Sequence, residues 1–519
     1  MKKIIILILM FLPAVMFSQY TNVMISNTGS PNEPAICINP KNTNQISAGS
    51  NLNFYFYSTN GGYNWSKSTL ASTYSVWGDP AIIADTSGNF YYGHLTNPSG
   101  GYFIDRIVVQ KSTNGGANFD NGSFAGYIPP KQQDKEWLCV DPANNNLYMT
   151  WTQFDSYGSS NSSDSSVILF SKSTNSGANW SSALRINKKA GNCLDEDNTV
   201  EGAVPCVGPN GEIYVSWSGP LGIVFDKSTD GGTTWLADDK FVTSQPGGWD
   251  FGITGIYRAN GLPITSCDLS NSPYRGTIYI NWSDQRNGTT DTDVWLIKST
   301  DGGNTWSSVK RVNDDPAGKQ QFFTWMTIDQ KNGNIYFVYY DRRNYSNTQT
   351  DVYMARSVDG GETFTNFKVS ETPFTPNSST FFGDYTNISA HNGKVRPIWA
   401  RLDNNSLSLY TAIVDFITDI EPINSVIPGS FRLYDNYPNP FNPSTKIKFD
   451  VANPDGNTEY VKLTIYDSNG KEVKELINSS LKPGTYEIDW EASDYPTGAY
   501  YYKLEAGKYT DSKMMMLIK

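Results

Sequence analysis

Ser299-Thr-Asp-Gly-Gly-Asn-Thr-Trp306 reads as a turn between two strands. It follows Val294-Trp-Leu-Ile297, an apolar run of strand-forming residues, and precedes Ser308-Val-Lys-Arg-Val312. The serine ends one strand. The aspartate bonds the backbone that follows it and closes the turn. The glycines take positive φ at little cost. The tryptophan starts the returning strand, where its ring packs between neighbouring sheets.

Five further segments repeat the pattern: Ser58 to Trp65, Ser112 to Phe119, Ser173 to Trp180, Ser228 to Trp235 and Ser357 to Phe364. Asn replaces the aspartate in the first three. Each sits late in a longer unit. Within a unit a first apolar strand (Trp137-Leu-Cys-Val140) precedes a second (Leu147-Tyr-Met-Thr-Trp151). A third (Val167-Ile-Leu-Phe170) runs into the turn, and a fourth leaves it. Repeated units of four antiparallel strands predict the blades of a β-propeller.

The turn resembles the Asp-box, or BNR, repeat of the sialidase-like propellers, and its six occurrences carry that likeness. The acidic side chain of the box is then a folding device. First strands start near Pro34, Pro80, Trp137, Gly202, Ile264, Trp325 and Tyr385, which predicts seven blades. Counting boxes instead gives six. The last unit, Tyr385 to Asp415, has three strands and no box. Thr21-Asn-Val-Met-Ile-Ser26 is the expected fourth strand, closing the ring and removing its free edges.

Outside the repeats, Met1-Lys2-Lys3 and the apolar run Ile4 to Phe17 read as a secretory signal cut near Ser18. The expected propeller spans residues 19–415, followed by a linker over 416–430. Residues 431–519 read as alternating strands and Gly turns, a small β-sandwich. Leu433-Tyr-Asp-Asn-Tyr-Pro-Asn-Pro-Phe-Asn-Pro-Ser-Thr445 and the Lys513 to Lys519 ending resemble the type A sorting domain of the type IX secretion system. That resemblance implies handling by the type IX machinery and a secreted or cell-surface protein. No second segment is apolar enough to cross a membrane as a helix. A net charge of -11 without basic clusters argues against a nucleic-acid partner. The fold class is thus all-β with almost no helix in the mature chain. Cys37, Cys139, Cys193, Cys206 and Cys267 are no disulfide framework, although Cys193 and Cys206 are a candidate pair.

On each blade the boxes mark a lower face. The second-to-third loops and the inter-blade connections share an upper face, where function concentrates. Glu33, Asp79, Glu136, Glu201, Pro263, Thr324 and Asp384 enter the first strands there. Five are acidic and are expected to ring one mouth of the channel. Close carboxylates raise one another's pKa unless a cation compensates. Such a mouth holds a general acid, a cation such as Ca²⁺, or caps its own turns. Asp79, Glu136, Glu201 and Asp384 are the acid/base candidates. Trp137, Trp325 and Tyr385 supply a sugar-stacking surface or core packing. His94 and His391 fall on opposite faces, which excludes a multi-His zinc centre and a Ser–His–Asp triad.

The sialidase likeness implies three arginines on a substrate carboxylate, a Tyr nucleophile with a Glu, and an Asp acid. The early Arg-Ile-Pro of that family is missing, and the first Arg is Arg106. Arg286, Arg342 and Arg401 are the upper-face candidates for substrate binding, with Tyr385 beside Asp384 as the candidate nucleophile. They do not reproduce the family pattern, so the fold follows from the likeness and sialidase activity does not. The expected partner is an extracellular carbohydrate or glycoprotein, either hydrolysed by carboxylates or bound without turnover. A scaffold for protein partners is the third expectation.

Overall fold

A computed structural model describes residues 20–99, 101, 103–416, 422–423, 427–453, 459–492 and 495–519. The expected signal and most of the expected linker lie outside them. Every regular element among the described residues is a strand.

Between Thr21 and Asp415 the strands form seven four-stranded antiparallel sheets, and a short two-stranded ribbon pairs Asp250–Phe251 with Ala259–Asn260. One sheet runs Gln321–Ile328, Ile335–Asp341, Asp351–Ser357 and Thr365–Lys368 in chain order. Its two middle strands are buried on both faces, and so read as nearly continuous apolar runs. The outermost strand keeps a polar, half-exposed sequence.

The repeat turns are built alike. In one, the Gly303 amide donates to Ser299 Oγ at 2.9 Å and the Thr305 amide to Asp301 Oδ1 at 2.9 Å. The serine bond recurs at Gly62, Gly116, Gly177, Gly232 and Gly361. Gly303 has φ +79, and a Cβ there would overlap the ring of Phe225 in the preceding sheet. Trp306 packs on that same ring, centroids 5.2 Å apart. Each turn thus fastens its own sheet to the one before it.

The first strands of the sheets touch in a circuit. Ala35–Ile38 contacts Gly78–Ala84, and contact passes on through Gln132–Val140, Glu201–Val207, Ile264–Cys267 and Gln321–Ile328 to Asn387–His391, which meets Ala35–Ile38 again. Thr21–Ser26 pairs antiparallel with Ser406–Asp415, so the sheet without a repeat turn takes its fourth strand from the other end. All five cysteines are free thiols, so Cys193 and Cys206 do not pair. Burial raises both thiols.

The C-terminal residues form two sheets of their own. One pairs Arg432–Leu433, Ser444–Val451 and Gly484–Glu491; the other holds Glu472–Leu481, Glu459–Asp467, Gly498–Ala506 and Tyr509–Leu517. They enclose a separate core that includes Ile447, Leu463, Trp490, Tyr502 and Leu517.

Candidate functional site

The first strands do not start cleanly. Pairing with the second strand slips between Gly78 and Ala81, Asp134 and Trp137, Glu201 and Val204, and Phe322 and Trp325. At each slip one residue is left-handed: Asp79 (φ 51), Lys135 (φ 51), Gly202 (φ 73) and Phe323 (φ 51). Glu33 (φ 48) and Gly383 (φ 99) hold the same place in two other sheets. The four slips are β-bulges, which re-aim the side chains beside them. Counted from the bulge, the five acidic candidates fall on three successive positions rather than one. Glu201 precedes it, Glu33 and Asp79 occupy it, and Glu136 and Asp384 follow it. The single ring expected from sequence is therefore a staggered cluster.

It is also buried. Glu33, Glu136, Glu201 and Asp384 are at most 2% exposed. A pair of cations that sequence reasoning passed over joins three of the aspartates, Asp79, Asp195 and Asp384. Lys135 Nζ donates to Asp79 Oδ2 and to Asp384 Oδ2, both at 3.1 Å. Arg258 grips both oxygens of Asp384, with Nε to Oδ1 at 2.9 Å, and reaches Asp195 Oδ2 from Nη1 at 3.2 Å. Tyr157 donates to that same Asp195 oxygen at 2.7 Å. Asn51 donates to Glu33 and accepts from the Asp79 amide at 2.7 Å.

Two cations among so many carboxyls leave some carboxyls protonated. Burial pushes Glu33 well above the usual carboxylate range, and Asp79 and Asp384 add to it. Burial, then Asp79, does the same to Glu136, and burial, then Asp195, to Glu201. Burial lifts Asp134 to about 7. Asp384 goes the other way: burial opposes its charge, but Lys135 and Arg258 overcome that and hold it at about 2. The site thus sets an aspartate whose charge is favoured by two cations beside glutamates whose charge is disfavoured by burial. Neither Glu136 oxygen has a hydrogen-bond partner, nor does Tyr385 Oη.

A small, partly open pocket adjoins this network. Lys135 and Asp384 line it, as do Trp137, Trp325, Tyr385 and Asn260. The three rings pack on one another, Trp137 lying 4.4 Å from Trp325 and 5.2 Å from Tyr385. They are at most 9% exposed, so they form a core plug that also walls the pocket. Glu136 and Glu201 do not line it. Burial raises the Tyr385 phenol well above its ordinary value, which keeps it a neutral hydroxyl rather than a ready nucleophile.

The three arginines singled out in the sequence lie elsewhere. Arg286 pairs with Asp284 and lies over Trp295 at 4.6 Å. Arg401 pairs with Asp403 and donates to the Thr372 carbonyl at 2.9 Å. Arg342 is buried, donating to Thr350 Oγ1 at 3.0 Å and to the Thr254 carbonyl at 2.6 Å. None lines the pocket or bonds the carboxyl cluster. The cation that lines the pocket is Lys135, and Arg258 reaches it only through Asp384. No group of three or more His, Cys, Asp or Glu among the described residues is arranged to hold a metal ion.

Residues 435–519 match the secretion system C-terminal sorting domain. The chain therefore carries the mark of a protein exported to the cell surface or the extracellular space. No described helix is long and apolar enough to cross a membrane. No curated protein matches the chain. Among solved structures, a Hadza microbial sialidase is 13% identical with a TM-score of 0.42, over 72% of this chain and 75% of its own. A polysaccharide lyase PL25 ulvan lyase bound to -[GlcA(1-4)Rha3S]- is 12% identical, TM-score 0.47, over 76% and 96%. A Trypanosoma rangeli sialidase with 2,3-difluorosialic acid is 11% identical, TM-score 0.41, over 96% and 89%. At these scores none of them bears on the chemistry.

Proposed function

We propose that the seven sheets are the blades of one propeller, spanning residues 20–415 and closed by Thr21–Ser26. We propose too that the exported chain binds extracellular glycans at the pocket without cleaving them. The observation that carries the glycan reading is the pocket wall itself, three aromatic rings beside a few fixed polar groups, the usual make-up of a small-molecule site. Rings offer apolar faces to the C–H face of a sugar. Asp384, Lys135 and Asn260 offer acceptors and donors to its hydroxyls.

Binding is favoured over hydrolysis by the state of the carboxyls. A glycosidase needs an ionised carboxylate and a protonated one facing each other across the bond. Here the ionised one is neutralised by two cations, which weakens it as base or nucleophile. Glu136 and Glu201, whose charge burial disfavours, are off the pocket lining.

The test is a screen of the mature full chain against immobilised glycans and chromogenic glycosides, with and without Ca²⁺. Binding without product release is expected. Product release that disappears in Glu136→Gln would restore the hydrolase reading and its acid. Binding only with Ca²⁺ would add a metal to the pocket.

A further inference from the structure

Arg106 stands just before Ile107–Ser112, the third strand of the sheet that begins at Gly78–Ala84. Three rings frame its guanidinium: Tyr127 at 4.0 Å, Phe124 at 4.8 Å and Tyr74 at 5.6 Å. They pack edge to face, Tyr74 on Phe124 at 5.2 Å and Phe124 on Tyr127 at 6.2 Å. Phe124 and Tyr127 are 37% and 45% exposed. None of the four residues lines the pocket. Asp105 fixes the guanidinium from one side, accepting from Nε at 3.0 Å and from Nη2 at 2.8 Å. Nη1 bonds no described residue and is open to solvent. Asp105 strengthens the charge of Arg106 against burial, and the groups next in influence are the Tyr127 and Tyr74 phenols, not a second carboxylate.

We propose that Arg106 and its rings are a second binding surface, apart from the pocket, and that it takes a uronate residue of an acidic polysaccharide. A guanidinium presents five N–H donors in a planar fork. Asp105 occupies the Nε–Nη2 edge. The Nη1–Nη2 edge is left for a second planar acceptor, and a carboxylate matches it with two parallel bonds. Cation–π contact holds the guanidinium in one orientation, so little freedom is lost when the ligand arrives. The exposed rings of Phe124 and Tyr127 stand beside it to meet the pyranose. The net charge of -11 opposes an anion only weakly here, because salt screens charges more than about 10 Å away. The nearest acid, Asp105, is already paired.

The experiment titrates the mature full chain with hexamers of galacturonate and of mannuronate, with mannohexaose as the neutral comparator and a carrageenan hexamer as the sulfated one. The variants are Arg106→Lys, which keeps a cation beside Asp105 but loses the planar edge, and Tyr127→Ala. The control is Phe241→Ala, a residue 61% exposed on an outer strand. At least one uronate hexamer should bind more tightly than mannohexaose. It should weaken by about tenfold or more in each of the two variants and weaken again with added NaCl, with the control unchanged. Uronate affinity unaltered in Arg106→Lys would overturn the proposal, as would the absence of uronate binding; neither result touches the pocket reading, which keeps its own screen. Mannohexaose binding as tight as uronate binding, and lost equally in Tyr127→Ala, would overturn the acidic ligand. Tighter binding of the carrageenan hexamer would overturn the carboxylate.

Discussion

The same functional group lives two opposite lives in this chain. In the repeat turns, Asp230 is fully exposed, and the Thr234 amide and then its hydroxyl hold it down at about 2. Asp301 is lowered in the same way, by the Thr305 hydroxyl and then its amide. At the bulges, Glu33, Glu136 and Glu201 are buried and pushed up by lost hydration. The turn aspartates take all they need from their own next few residues, so the turns could be repeated. The carboxyls at the strand starts meet partners from distant parts of the chain, Asp384 bonding Lys135 and Arg258 and Glu33 bonding Asn51, so each position differs. Repetition here marks architecture, and departure from it marks the site.

The comparison breaks hardest at Lys135. Replacing it by Met removes the cation shared by Asp79 and Asp384 and leaves buried charge uncompensated, a loss of about 3–5 kcal/mol. Urea unfolding followed by tryptophan fluorescence would read it; a loss no larger than that of an exposed lysine would show that the network does not hold the site together. Ser228→Ala strips a buried turn of its acceptor for the Gly232 amide and should cost about 1–3 kcal/mol. An equal loss is expected at Ser299, since the two turns are built alike, and unequal losses would break the claim of equivalence.

Asp134 sharpens the contrast through pH. Its folded value of about 7 lies above the usual carboxylate range, about 4, so between these values the native state holds a proton that the unfolded chain has lost. Stability contributed at low pH is therefore lost as pH rises across that window. Asp134→Asn keeps the oxygen that accepts from the Lys135 amide and should flatten this fall, measured as urea midpoints at either end of the window. Asp384 has the opposite sign, with stability present above the unfolded carboxylate range and lost only as pH falls toward 2. The smallest effect belongs to Asp301→Asn. Asn already stands at this place in three of the turns, and no change in midpoint beyond error is expected; a clear loss would mean that the charge, and not the acceptor, closes the turn.

What was legible in the sequence follows the same division. The turns and strands could be read because their signals are local: Ser, Asp or Asn, Gly and an aromatic within eight residues. Glu33, Asp79, Glu136, Glu201, Asp384, Trp137, Trp325 and Tyr385 could be picked out because they precede or open apolar strands. Their stagger could not, since a bulge adds a residue without changing the apolar pattern. Lys135 was hidden between Asp134 and Glu136, although it occupies the same left-handed place as Glu33 and Asp79. Arg258 sits in a long connection with no period to align it. Arg286 and Arg401 stood out in the sequence, and each has an aspartate two residues away, at Asp284 and Asp403, with which it pairs.

The pairing of Thr21–Ser26 with Ser406–Asp415 also sets an order of events in time. The earliest strand to leave the ribosome takes the latest strand of the repeat region as its neighbour. Six sheets can form as their own residues emerge, while the first strand waits with its hydrogen-bonding edge bare. A chain stopped short of Ser406 would keep that edge open, ready to pair with another copy. Only a chain that includes Ser406–Asp415 can pair that edge within itself.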